Sequence, residues 1–278
     1  MYKVRFNALY TLLGTFNLTN KDNRMIDLRL GDCLEVMKTI ESGSIDAVIC
    51  DLPYNTTNAK WDKTLHLDKL WVQYNRIIKV NGVVILTAQQ PFTSALIMSN
   101  PKMFNHNWTW EKDKCANFQL AKYQPLKTTE DILIVTKGGF TYDAKNKCTY
   151  NPIMTSRKPR KPTKETKRSN KMIEINPRPN PTSFKSDNNF IADKNYPKNL
   201  IYFKTEHKNR LHPTQKPLSL MEYLIKTYTN ENDLILDNTM GSGSTMVACK
   251  NLNRQGIGIE KEEKYFKIAQ ERVNSTLF

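Results

Sequence analysis

Three stretches of this chain carry chemically capable side chains, two of them at the ends of apolar runs. In the first, Ile45-Asp46-Ala47-Val48-Ile49-Cys50 hands over to Asp51-Leu52-Pro53-Tyr54. A carboxylate, a ring-locked backbone and an aromatic plate therefore stand where a strand ordinarily gives way to a bland turn. In the second, Leu234-Ile235-Leu236 ends in Asp237 and continues through a turn holding Gly241 and Gly243 into a helix opening with Ser244 and Thr245. Glycines at a strand-to-helix corner let backbone amides approach a ligand, and that corner is where open parallel sheets bind nucleotides. Glu260 closes a further run 23 residues after Asp237, a spacing suited to an acid that accepts hydrogen bonds from ribose hydroxyls. Together these features read as an adenosine site; the alternative is that the glycines only shape a turn and Glu260 faces solvent. Met246 stands where the third glycine of a dinucleotide fingerprint would be, which disfavours nicotinamide cofactors.

The third stretch, HPTQKP, carries His212, Thr214 and Lys216 ahead of Pro217, a residue suited to the first turn of the following helix. A cation beside a helix N-terminus makes a receptor for a carboxylate, such as the amino-acid end of a cofactor, unless these residues only cap the helix.

The elements that must position these groups follow a βα rhythm. From Ile26 to about Gly139, strands are expected at 26–30, 45–50, 83–87, 108–110 and 132–136, with helices over 33–40, 65–80 and 91–99, an alternation that argues for parallel βαβ units. After Leu211 the rhythm resumes with helices over 218–229, 244–251 and 262–273 and strands over 234–237 and 256–260. The fold class is α/β, a single sheet interrupted and then completed.

Between the two halves the composition changes. Residues 140–210 hold 17 lysines and arginines against 6 acids, so +11 of the chain's formal +15 lies there, with seven of its thirteen prolines. The expected organisation is an N-terminal extension (1–25), a first half (26–139), a basic insertion (140–210) and a second half (211–278). Met25 would serve as an internal start, which makes the extension dispensable. The run SRKPRKPTKETKRSNK has almost no apolar residues and reads as a solvated loop. Aromatic residues flank it (Tyr142, Tyr150, Phe184, Phe190, Tyr196, Tyr202, Phe203), and stacking groups beside cations are what a nucleic-acid groove uses, against the plainer reading of a spacer.

Charge and composition narrow the classes further. An excess of 15 positive charges favours a polyanionic partner, nucleic acid ahead of an anionic membrane surface. No stretch approaches the roughly 20 apolar residues of a membrane span, and the first 18 residues lack a small-residue cleavage site. Five scattered cysteines suit reduced thiols in a cytoplasm, and the absence of a CxxC or clustered histidines gives a metal site little support.

DLPY with the following Lys60-Trp61-Asp62, HPTQKP, and DNTMGSGST with GIGIE together resemble the amino-methyltransferases of DNA, in the permuted group whose catalytic half precedes the cofactor half. The resemblance runs from about Ile26 to the C-terminus, the insertion excepted. It implies a Rossmann-like methyltransferase sheet using S-adenosylmethionine, encoded by a bacterium or phage and cytoplasmic. It also implies transfer to the N6 amino group of adenine in double-stranded DNA, with target recognition in the insertion, where the excess charge assigns DNA binding to Lys158, Arg160, Lys161, Lys167 and Arg168. Asp51, Pro53 and Tyr54 fall on the catalytic motif. Asp51 and the Pro53 carbonyl would each accept one amino proton, and Tyr54 would stack on a base flipped out of the duplex. Trp61 would line the same pocket or anchor the loop. Asp237, Gly241, Gly243, Ser244, Thr245 and Glu260 fall on the cofactor motifs, with Lys216 near the methionine end. Asp32 falls at the adenine, or else caps the helix that follows it. Family members acting on cytosine N4 usually carry Ser in place of Asp51, so that activity is the alternative, together with an inactive DNA-binding protein of the same fold. A homodimer and a cognate restriction endonuclease stay open as partners.

Overall fold

The computed structural model describes residues 26–54, 65–156, 194–206 and 210–275. In chain order the elements are β1 (Ile26–Leu30), α1 (Cys33–Val36, continued by a 3₁₀ turn over Met37–Thr39), β2 (Ile45–Asp51), α2 (Leu67–Ile77), β3 (Ile78–Ala88), α3 (Phe92–Ser99), β4 (Phe104–Ala116), β5 (Lys127–Thr136), β6 (Thr155–Ser156), β7 (Lys194–Asn195), β8 (Leu200–Tyr202), α4 (Leu218–Tyr228), β9 (Leu234–Asp237), α5 (Ser244–Asn251), β10 (Gln255–Glu260) and α6 (Glu263–Ser275). No described helix is long and apolar enough to cross a membrane.

Eight strands form one sheet in the order β1-β10-β9-β2-β3-β5-β4-β8, while β6 and β7 pair apart from it. The order reverses between β9 and β2: the second half of the chain supplies β9 and β10, the first half supplies β2, β3, β5 and β4, and β1 and β8 close the two edges. This is a switch point, at which loops leaving adjacent strands diverge to opposite faces and leave a crevice. The strands are buried on both faces. Met221, Leu224, Met246 and Ala269 of α4, α5 and α6 cover one side, and Met37, Leu70, Tyr74 and Leu96 of the first-half helices cover the other. In α2 the buried Leu70, Trp71, Tyr74 and Ile77 recur at helical spacing, which is why this segment coils.

Two expectations are corrected. The helix expected over 65–80 stops at Ile77, because the β-branched Ile78 is fully covered opposite Ile45 and begins β3 instead. The sheet is also not wholly parallel. β5 runs antiparallel to both β3 and β4, so its first residues, not its last, lie level with the carboxyl ends of the other strands. The flanks of the basic stretch belong to the body: Cys148 and Ile201 are in the core, and β8 extends the sheet beside β4.

Candidate active site

The carboxyl ends of β10, β9 and β2 are neighbours and present Glu260, Asp237 and Asp51 in turn to a cavity of about 770 Å³. Asp32, Pro53, Tyr54, Lys216, Gly241, Ser244 and Thr245 also line it. The three sequence-distant acids therefore meet at one edge of the sheet because each is the last residue of a parallel strand. Gly243 departs from expectation: it is not in the cavity wall. It takes a left-handed φ of 78° ahead of α5, and a Cβ there would stand 3.0 Å from Ala269 Cβ, so its role is the close approach of α6. Trp61 and the cationic residues from Lys158 to Arg168 lie outside the described residues, as do Phe184 and Phe190. Of the other flanking aromatics, Tyr142, Tyr150, Tyr196 and Tyr202 are exposed, while Phe203 packs on the core.

At Glu260 and Asp32 the backbone braces the acids. The Glu260 carboxylate accepts from the amide of Gly241 at 2.9 Å and from that of Glu262 at 2.8 Å, which fixes its orientation and leaves lone pairs on each oxygen. The Asp32 side chain accepts from the Leu34 amide at 3.0 Å and so caps α1, while the residue also lines the cavity; the two roles expected of it are compatible. Pro217 is itself the cap of α4, one position earlier than expected. Burial lowers His212 to about 4, so its ring is neutral, and it sits edge-on to Tyr265 with centroids 4.2 Å apart.

Asp237 is 4% exposed, and burial pushes its carboxyl up to about 7 against the opposing hydrogen bonds of Thr245 and Thr239. For an acid whose folded value lies above its ordinary 3.8, stability is fully present below about pH 4 and is lost as pH rises to about 7. The loss is at most about 4 kcal/mol. Asp237→Asn removes this titration. Denaturant unfolding at pH 5 and pH 8 is expected to show a smaller loss of stability in the variant than in the unmutated protein; equal losses would mean that Asp237 stays ionised in the fold.

Around Asp51 the structure brings together residues that the motifs did not contain. Thr87, registered opposite Asp51 across the parallel pair β2–β3, donates its hydroxyl to Asp51 Oδ1. The Tyr54 hydroxyl lies 2.7 Å from Asp51 Oδ1 and 3.0 Å from Glu130 Oε1, so its single proton reaches one of two carboxylates. Burial, with Asp51 and Glu130 adding to it, holds that phenol well above its usual range and keeps it a donor. The Lys216 ammonium bridges Asp51 Oδ2 at 2.7 Å and Glu130 Oε1 at 2.8 Å, and Lys112 pairs with Glu130 Oε2 at 2.5 Å. Two cations and two carboxylates thus form a neutral chain. Burial alone would raise Glu130, but Lys216 and Lys112 more than offset it and hold it down at about 2. Burial likewise opposes the charge on Lys216, and Asp51 and Glu130 more than compensate, raising it. The Tyr54 ring stacks on Phe92 with centroids 5.3 Å apart and an interplanar angle of 29°, so its plane is set from behind.

An acid at each of three adjacent strand ends, around a glycine turn at the switch point of a mixed eight-stranded sheet, defines the Rossmann-like methyltransferase class. A crystal structure of an M1.HpyAVI–SAM complex matches with a TM-score of 0.59 and 28% identity, covering 90% of this chain and 100% of that one. The cytosine-N4-specific PvuII DNA methyltransferase shares the fold at a TM-score of 0.60 and 13% identity, covering 90% of this chain and 87% of that one. The model of the N6/N4 DNA methylase family matches residues 45–271, and the chain belongs to that family. The type II methyltransferase M.HpaI of Haemophilus parainfluenzae is 30% identical over 271 residues, covering 91% of this chain and 75% of that protein. M2.DpnII of Streptococcus pneumoniae is 28% identical, with 91% of each chain covered.

Proposed function

We propose that this protein transfers the methyl group of S-adenosylmethionine to the N6 amino group of adenine at specific sites in double-stranded DNA, with the target base flipped into the cleft. The observation that carries the reading is Asp51, an acid at the end of β2, oriented by Thr87, Tyr54 and Lys216 toward the same cavity that Glu260 and Asp237 enter. The cavity suits the cofactor: Glu260 and Asp32 are acceptors for an adenosine, and the Gly241 corner lets main chain come close. When bound, S-adenosylmethionine supplies an electrophilic methyl group.

An exocyclic amino nitrogen conjugated with a purine is a poor nucleophile because its lone pair is delocalised. The Asp51 carboxylate and the main-chain carbonyl of Pro53 would each accept a hydrogen bond from one of its two N–H groups and so turn the lone pair outward; the positive charge that develops on nitrogen as it takes the methyl group would be met by a preorganised anion until the nitrogen sheds one proton. Tyr54, backed by Phe92 and tied through its hydroxyl, offers a fixed plane for stacking. The basic residues Lys158, Arg160, Lys161, Lys167 and Arg168 are assigned to the DNA backbone on their charge and on their place in the expected insertion. The type II relatives make a cognate restriction endonuclease a reasonable partner.

The test is nucleoside mass spectrometry of DNA treated with the purified protein and cofactor, followed by base-modification sequencing to locate the site. N6-methyladenine without N4-methylcytosine is expected. Methylcytosine alone would move the activity to the cytosine N4 branch, and no methylated nucleoside would leave an inactive DNA-binding protein.

A further inference from the structure

β4 runs in the same direction as β2 and is 13 residues long. Its Trp110 is level with Glu130, hence with the catalytic edge, and the strand continues to Ala116, six residues further. β4 bulges between Glu111 and Ala116 while its partner β5 runs only from Glu130 back to Lys127, so at strand rise the paired stem reaches roughly 10 Å past the level of Glu130, on the side where the cavity opens. Lys114, Cys115 and Ala116 in the hairpin stem line that cavity.

The tip is built, and it is apolar. A 3₁₀ turn spans Phe118–Leu120, Asn117 takes a left-handed φ of 56°, and the Asn117 side chain accepts from the Lys127 amide at 2.8 Å across the base of the loop. On this frame Phe118 is 72% exposed and Tyr123 84%, with Leu120 and Leu126 beside them. Large apolar groups grouped on an ordered projection mark an interaction surface. Lys114, Lys122 and Lys127 are exposed around them, and no acid occurs between Lys114 and Lys127. Cations interleaved with aromatic rings complement a polyanion that has stacking faces.

We infer that the β4–β5 hairpin is a wedge for duplex DNA: Phe118 and Tyr123 enter the base stack beside the target, and Lys114, Lys122 and Lys127 hold the flanking phosphates. The inference rests on the proposed DNA substrate. A base drawn out toward Asp51 leaves a vacancy in the stack, and apolar side chains that occupy such a gap offset the cost of unstacking. A two-stranded ribbon is narrow enough to enter a major groove about 12 Å wide.

The variant Phe118→Ala/Tyr123→Ala changes only exposed side chains, so folding is preserved. Methyl transfer is measured with the full chain on duplex oligonucleotides carrying the methylated sequence, once fully paired and once with an abasic site opposite the target base, where the base is already free to leave the stack. The wedge predicts at least a tenfold fall in kcat/KM on the paired duplex and a change within about twofold on the abasic one. An equal fall on both substrates, or no fall on either, overturns the wedge while the DNA methyltransferase reading stands. A shift of the variant to a smaller oligomer assigns the patch to self-association and overturns the wedge too. Failure of the unmutated protein to methylate either duplex sinks the proposed function itself.

Discussion

Asp51→Asn is expected to lower turnover by about a hundredfold to a thousandfold, the usual cost of removing one preorganised group from developing charge, while binding of cofactor and DNA is largely retained. Asparagine keeps the shape of the side chain and loses the full negative charge that meets the amino group. It is a cleaner probe than alanine. Asp51 is one of two carboxylates on the buried Lys216 ammonium, and it also accepts from Thr87 and Tyr54. Truncating it leaves those donors short of a partner, at a stability cost on the order of 2 kcal/mol. Single-turnover kinetics separate the methyl-transfer step from product release; a rate within a few-fold of the unmutated protein would sink the role assigned to Asp51.

Lys216→Met is expected to be nearly as damaging, and for a different reason. Asp51 and Glu130 each lie within 2.8 Å of one ammonium, so removing it leaves two carboxylates facing each other, Glu130 with only 5% of its side chain exposed. Like charges so placed do not both ionise readily, and their shared titration moves upward. Lys216 is the first of the charges that hold Glu130 down, so without it a proton is retained between the two carboxylates to higher pH and takes away an acceptor for the amino group; the acid limb of the kcat profile shifts to higher pH and activity recovers only as the medium becomes more alkaline. Adding Glu130→Gln to Lys216→Met removes the repulsion, and the limb is expected to move back down. The paired pH profiles carry the test: if Lys216→Met leaves the limb in place and raises only the KM for S-adenosylmethionine, the lysine serves as a carboxylate receptor, the role its position in HPTQKP first suggested.

The chain alone determined the strands on which the nucleotide side depends. β1 and β9 occupy the residues expected of them, and β10 and β2 differ by one residue at an end, because short β-branched and aliphatic runs bounded by glycine or an acid admit few other structures. In a parallel sheet the carboxyl ends of the strands lie at the same edge, so Asp51, Asp237 and Glu260 were legible as a set. Gly243 was not, because a glycine that approaches a ligand and one that approaches a helix look alike until α6 is in place.

Glu130, Thr87 and Lys112 became visible only in three dimensions. Thr87 is an unremarkable residue near the end of β3 until the register sets it opposite Asp51. Glu130 precedes an apolar run, and in a parallel strand it would lie at the far edge of the sheet from the site. The reversal of β5 carries it to the catalytic edge instead, level with Trp110 of β4 and one residue before the partner of Ala88 in β3. Lys112 reaches the same place because β4 outruns its neighbours. Strand direction is set by which edges pair and which faces are covered, and these long-range choices leave no periodic mark on the local sequence. The sequence thus determined which groups could orient an amino nitrogen, and the tertiary structure decided which charges surround them.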